Sequence, residues 1–404
     1  MTRVEVDFDH HSADHLDRWE TATAALRAEC PIGWTSAHGG FWVVVGYDAV
    51  REVARDPRTF SAGHDVTGRD PIARGIGIPP LDFPLILSES DPPLSTERRN
   101  LELPFFRAAQ IRKWEPVVQD QVDACIRQMR SGDRADLFRD LAMPVVVRTT
   151  LELVGVDADR WPDFSLAAHD DGWDDKARAA AMARVHEMLL HLADRRRAEP
   201  GRDITTALVQ GRVGGCPLGD EEILSMLSVL VFGGFDTTAG LVTSGLIWLS
   251  RHRDVHPRLL AEPAVLGNAV EEFLRVFPSS LGVARNVTRD VVFEGQHLSR
   301  GDRVFLSWAA ANRDPAVFHD PDSVLIDRPN ASRHVSFGFG GHHCLGSELA
   351  RLIAVLTIRS VLADLPDFRV DDDGLVRYRS PGTVVGWSKA PAALQDHRTL
   401  EGDT

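Results

Sequence analysis

A mainly α-helical fold with a minor β region, in one domain spanning residues 1–404, is what the sequence predicts. Three observations carry that reading. Helical apolar patterns recur over 115–131, 137–154 and 176–198. Asp220 to Arg251 reads as one unbroken helix, roughly 48 Å long at the usual rise per residue. Strand signals are short and confined to Phe41–Val45, 291–293, 303–308 and about 367–393. No Ser/Gly/Pro linker, internal repeat or abrupt change of composition divides the chain.

From the N-terminus, Met1 to Glu20 is charged and rich in His and Asp, without a signal peptide or membrane anchor, and residues 1–30 read as an N-terminal extension. His38-Gly39-Gly40 makes a turn into the strand Phe41–Val45, and Asp48 to Arg55 follows as a short helix. Residues 61–90, rich in Gly and Pro and lacking periodicity, read as a long irregular loop, a feature that is usually functional in a compact protein. Asp91-Pro92-Pro93 opens a helix, with Asp91 expected as N-cap and proline at the first helical position. In Asp220–Arg251, Glu221 and Glu222 suit the positive end of the helix dipole. From Ile223 to Leu249 this helix is apolar on nearly every face, so it is buried in protein or in lipid. Asp236, Thr237 and Thr238 at its centre argue for protein, since a mid-membrane aspartate costs about 2.5–3.5 kcal/mol. Turns at Glu294-Gly295 and Arg300-Gly301 bound the later strands, and Leu349 to Leu356 is a further helix.

A net charge of −14 argues against general nucleic-acid binding. The four cysteines, Cys30, Cys125, Cys216 and Cys344, are too few and too widely spaced for a disulfide framework, which points to a reducing, cytoplasmic setting. Lysine occupies only three positions while arginine abounds, a bias associated with GC-rich bacterial genomes.

The segment richest in chemistry is Phe337-Gly338-Phe339-Gly340-Gly341-His342-His343-Cys344-Leu345-Gly346. Its glycines let the backbone approach a flat cofactor and take positive φ where needed. A helix starting just after Cys344 turns its positive end toward the sulfur and favours the thiolate, the form that ligates metal. The plainer reading is a buried free cysteine. A zinc site made of His342, His343 and Cys344 is disfavoured, because adjacent residues do not easily converge on one tetrahedral ion and no CxxC or HxxxH supplies further ligands.

This loop resembles the cysteine loop of the cytochrome P450 family: Phe337 lies seven residues before Cys344, Gly340 four before, His342 two before and Gly346 two after. The resemblance implies that Cys344 is the proximal haem-iron ligand, a thiolate that favours O–O cleavage. It further implies that Ser336, Phe337, Gly338, Gly346 and Ala350 border the haem. Gly233-Gly234-Phe235-Asp236-Thr237-Thr238 resembles the family's distal-helix motif, with Gly233 leaving room for dioxygen, Thr237 holding a hydrogen bond and Asp236 feeding protons inward. Read without that context, the same residues make a helix bend with Asp236 in a buried ion pair. Glu272 and Arg275, spaced i,i+3 on a helix, are ordinarily a weak surface pair. They match the family's structural Glu-x-x-Arg, with Arg328 completing the triad. Arg99, Arg285 and His342 match the propionate partners, although each arginine taken by itself reads more plainly as a solvated side chain. Two departures stand out: Ser95 replaces a frequent histidine, and Ile353 a frequent glutamate.

The resemblance runs from about residue 30 to 393. It implies the cytochrome P450 fold with haem b (iron protoporphyrin IX) between distal and proximal helices, and no fused reductase. Implied partners are dioxygen, a small organic substrate, and electrons from NAD(P)H through a separate ferredoxin or flavodoxin-type donor with its reductase. A monomer that binds neither nucleic acid nor membrane is expected. The implied substrate pocket comprises Leu230, Val231, Gly234, Ser280, Leu281, Val283, Thr383 and Val384, with 61–90 and 163–190 as a lid. Its apolar character suits terpenoid, aromatic, polyketide or peptide-derived molecules, to be hydroxylated or epoxidised in secondary metabolism or catabolism. Oxidative coupling or ring formation without oxygen insertion is the alternative within the family. A haem-thiolate sensor or carrier is the alternative outside catalysis, and it would not need Asp236 and Thr237.

Overall fold

A computed structural model describes residues 3–394 apart from 13, 66, 82, 169–174 and 380–383. Its axis is the central helix Asp220–Arg251, continuous over all 32 residues. Around it pack the helices Met143–Val154, Asp175–Ala198, Pro263–Val276 and Ser347–Asp364, and the strand Val385–Lys389. By length and composition the central helix is apolar enough to cross a membrane, but more than half of its most apolar stretch is buried inside the protein. It is a core helix, and its apolar side chains have helical neighbours on most sides.

The largest sheet has five strands in the order Ile32–Thr35, Phe41–Val44, Arg303–Ser307, Gly282–Val287, Phe60–Ser61. Arg303–Ser307 runs parallel to Phe41–Val44 and antiparallel to Gly282–Val287, with Val304 opposite Arg285. Phe41, Trp42, Val43 and Val44 are wholly buried, because both faces of the strand are covered. The predicted turns follow from backbone geometry: Gly295 and Gly301 take φ of 73° and 93°.

Several expectations need correction. The helix after Asp91 begins at Leu94, with Pro93 at the cap position. Asp91 is not the N-cap. Its carboxylate is engaged elsewhere, accepting from Ser61 Oγ at 2.5 Å and Ala62 N at 3.0 Å. Residues 3–30 are not merely appended. They contain the helix His15–Glu29, and Phe8, Trp19 and Leu26 are buried against the sheet and its flanks. The helix Ile204–Gln210, capped by the Asp203 carboxylate on Thr206 N at 2.9 Å, was not foreseen either. Part of the 163–190 segment assigned to the lid lies outside the described residues.

Candidate active site

A cavity of about 320 Å³ lies between the central helix and the glycine-rich cysteine loop. The helix contributes Leu230, Gly233, Gly234, Thr237, Thr238 and Leu241, the loop Phe337, Gly338, His342, Cys344 and Gly346. With Val229 at its margin, these helix positions fall at i, i+3, i+4, i+7, i+8 and i+11, one broad face. A larger concavity of about 460 Å³ near Asp91 and Glu97 is open to solvent and offers no thiol or imidazole.

Cys344 is seated by its backbone. Its N–H donates to Phe337 O at 2.7 Å, and Gly338 and Gly340 take φ of 71° and 76°. At Gly340 a Cβ would meet Ala54 O at 2.7 Å, so glycine is needed both for conformation and for close approach. The thiol has free surface, yet it faces this cavity. Burial pushes its pKa up, while the Gly346 N–H, Arg99 and Arg351 pull it down. The helix Ser347–Asp364 starts three residues later, and Ala350 in its first turn lines the cavity.

At another edge of the cavity lie Arg99, Arg285 and His342. Arg285 is buried and makes one hydrogen bond, to Ala284 O at 2.7 Å. Burial lowers its pKa to about 10, with Asp91 opposing. Burial, reinforced by Arg285, lowers the His342 pKa to about 4. Burial also lowers Arg99, offset by Cys344 and Glu102. Two guanidiniums and an imidazole crowd this edge of the cavity, while Asp91 is already bonded to Ser61 and burial pushes the Glu102 carboxyl toward its neutral form, so the site is arranged for an anionic guest. A thiol, a glycine-lined loop and these donors on one cavity fit haem, whose propionates would neutralise the arginines.

On the central helix, Thr237 Oγ1 donates to Gly233 O at 2.9 Å, and Ser279 Oγ donates to Thr237 O at 2.8 Å. A Cβ on Gly233 would have no neighbour within 4 Å, so this face of the helix opens into the cavity. Asp236 is half-buried and does not line the cavity.

Of the positions expected in the substrate pocket, Leu230, Gly234, Ser280 and Val283 line the cavity. Val384 does not, but it bridges to Ser280. Val231 and Leu281 are misassigned. Val231 is wholly buried on a different face of the helix, and Leu281 packs with Trp19 and Ala309. Thr383 lies outside the described residues. Lining residues not foreseen include Ile76 and Leu87 from the 61–90 loop and Val146, Thr150 and Leu153 from the helix Met143–Val154.

The triad is assembled. Glu272 and Arg275 are wholly buried and Arg328 nearly so. Glu272 Oε1 accepts from Arg275 Nη2 and Arg328 Nε at 2.8 Å each, and from Leu325 N at 2.9 Å. A second clamp was missed. Arg351 Nε donates to Glu271 Oε1 at 2.6 Å, its guanidinium lies 4.7 Å from the Phe337 ring, and His334 joins Glu271 at 3.2 Å. Only the doubled acid Glu271-Glu272 hinted at it in the sequence. Glu102 was also missed. It is wholly buried, neither carboxylate oxygen has a hydrogen-bond partner, and burial raises its pKa well above the ordinary range despite Arg99.

The family model described as Cytochrome P450 matches residues 146–374. The chain is 34% identical to the vitamin D(3) 25-hydroxylase of Pseudonocardia autotrophica, over 92% of this chain and 93% of that protein. It is 31% identical to the steroid C26-monooxygenase of Mycolicibacterium smegmatis, over 98% and 97%. Among solved structures, the cytochrome P450 PksS of the Bacillus subtilis bacillaene polyketide synthase aligns with a TM-score of 0.83 at 25% identity, covering 96% of this chain and 100% of that one.

Proposed function

The chain belongs to the cytochrome P450 family and is a monooxygenase, and from that premise we propose that it hydroxylates a rigid, largely apolar molecule of sterol-like type. The observation that carries this reading is the single cavity onto which Cys344, Thr237 and the Arg99–Arg285–His342 group all open. Two relatives named for vitamin D(3) and steroid oxidation support the substrate class. So do the cavity's aliphatic side chains from at least six separate segments, including Ile76, Val146, Leu230 and Val283.

Cys344 would hold haem through its sulfur, with the propionates on Arg99, Arg285 and His342, and haem would supply the reductive activation of dioxygen. The chain's own residues do the rest. The aliphatic lining excludes water and orients one C–H bond of the substrate. The Thr237 hydroxyl, parked on Gly233 O, holds a proton at the cavity wall, and Asp236 resupplies it from outside that wall. The Glu272 triad and the Arg351–Glu271 clamp fix the segment that presents Cys344. One oxygen atom enters the C–H bond and the other leaves as water, consuming two electrons and two protons. The electrons come from NAD(P)H through a ferredoxin or flavodoxin-type donor and its reductase, in the cytoplasm, with the protein acting as a monomer.

The test is turnover of the haem-loaded protein with a surrogate ferredoxin–reductase pair, NADPH, vitamin D(3) and sterols under isotopically labelled dioxygen. One labelled oxygen in the product is expected. NADPH consumption with an unlabelled, dehydrogenated or coupled product would overturn hydroxylation. Absence of substrate-dependent turnover across the panel would overturn the substrate class.

A further inference from the structure

Outside the residues that line the cavity, three imidazoles meet where the N-terminal segment crosses the turn before Phe41–Val44. His10, His11 and His38 each offer a ring nitrogen, and the three nitrogens lie within 4.8 Å of one another. The rings are in contact, with centroids 4.4 Å apart for His10–His11 and 4.8 Å for His11–His38. We propose that His10, His11 and His38 bind one divalent transition-metal ion of the zinc class.

The hydrogen bonds prepare the ligands. His10 Nε2 bonds Ile78 O at 2.9 Å, and His11 Nε2 bonds the same oxygen at 2.7 Å. A carbonyl only accepts, so both bonds place the ring proton on Nε2 and leave Nδ1 as the lone pair of the neutral ring. His38 Nε2 bonds the Asp9 carboxylate at 2.7 Å, and Asp9 also takes the His11 backbone N–H at 2.9 Å. An imidazole that donates one nitrogen to a carbonyl or carboxylate while its other nitrogen stays free is the usual setting of a metal-ligating histidine. His10 is only 5% exposed, and its Nδ1 has no hydrogen-bond partner. A buried orphan of that kind needs an explanation, and an ion is one.

The three rings must close further to share one ion. Nitrogens around one tetrahedral zinc are roughly 3.4 Å apart, given Zn–N bonds of about 2.0–2.1 Å. His10 is held by Phe41 and Phe305, at 5.6 and 4.9 Å between ring centroids. His11 and His38 are more exposed and can rotate inward. Water or Asp9 would complete four ligands, and imidazole suits zinc, nickel or copper better than magnesium or calcium. The ion would clasp the N-terminal segment to the sheet and, through Ile78, to the loop that carries the cavity residue Ile76.

The test uses haem-loaded full-length protein, stripped with a chelator and titrated with zinc chloride by calorimetry, with metal content measured after dialysis. One zinc per chain is expected, with a raised melting temperature. His11→Ala and His38→Ala, both changes at accessible rings, should each weaken that site at least tenfold. His297→Ala, on the exposed side of the hairpin Val291–Leu298, should leave it unchanged. Because His10 is part of the core, the test does not rely on replacing it. A wild-type protein that retains no stoichiometric zinc would overturn the proposal. So would a site that survives both His11→Ala and His38→Ala.

Discussion

Replacing Glu272 by alanine removes the one carboxylate that two buried guanidiniums share. In the native protein it faces Arg275 through two hydrogen bonds of 2.8 Å and Arg328 through bonds of 2.8 and 3.0 Å. After truncation Arg275 keeps the carbonyls of Asn312, Pro321 and Ser323, and Arg328 keeps those of His319, Asp320 and Ser323. Neither has a counter-charge left within the triad, and breaking a buried pair in this way costs about 3–5 kcal/mol. For a chain of 404 residues the unfolding entropy is about 0.85 kcal/mol per degree, from about 2.1 cal/mol/K per residue, so the melting temperature should fall by about 4–6 °C. Haem retention should fall too, because the backbone Leu325 N–H also rests on Glu272 and the same stretch leads into Val335 and Ser336, pinned by Asn312 at 2.7 Å each. Arg258→Ala, which breaks an exposed pair with Asp327, is the control and should cost under about 1 kcal/mol, or roughly 1 °C. Thermal melts followed by haem absorbance and by circular dichroism read both quantities. If Glu272→Ala melts within about 1 °C of the wild type and keeps its haem, the triad is not what braces the cysteine loop.

Four further outcomes are expected. Cys344→His should abolish the red-shifted Soret band of the reduced CO complex, and a mutant that keeps the band removes Cys344 as the ligand. Thr237→Ala should still oxidise NADPH but divert more electrons to hydrogen peroxide, with Thr237→Ser restoring coupling and Asp236→Asn slowing turnover, all measured as product and peroxide per NADPH. Gly233→Ala should fold with an unchanged melting temperature, since its methyl meets nothing within 4 Å, yet should weaken CO or substrate binding in a spectral titration. Burial would raise the Glu271 pKa, but His334 and Arg351 overcome it and lower the value from 4.5 to about 2, so its stabilisation is complete above pH 4.5 and lost as pH falls toward 2. Glu271→Gln should flatten that part of the urea-midpoint profile, and an unaltered acid limb would show that the clamp contributes nothing.

Local pattern made part of this protein legible. The bounds of Asp220–Arg251 are visible because acids open the helix and Arg251 closes it, with Asp236 the one charged residue among the apolar residues, glycines and small polar groups between. Glu272 and Arg275 are legible for the same reason, being one helical turn apart. What stayed hidden depends on distant chain. The Arg351–Glu271–His334 clamp joins residues 80 and 63 positions apart, and no periodicity encodes that. The helix His15–Glu29 escaped notice because its buried positions, His15, Trp19, Thr23 and Leu26, are few and two of them are polar. Asp91 was misread as a cap because the sequence shows a carboxylate before two prolines but not Ser61, thirty residues away, which claims it.

On the central helix, rotation about the axis adds to what the linear motif shows. Leu230, Gly233, Gly234, Thr237, Thr238 and Leu241 make one stripe, and that stripe lines the cavity. Val231 lies about 100° from Leu230 and Asp236 about 100° from Thr237, at the margins of that stripe, where Val231 is wholly buried and Asp236 is not among the lining residues. The cavity lining and helical phase together separate two roles that a contiguous motif runs together. Thr237 faces the reacting space, whereas Asp236 stands behind it, where it can act only through Thr237 or through water. Thr237→Ala should therefore change the partition between product and peroxide, and Asp236→Asn the rate, because only the first residue touches the cavity.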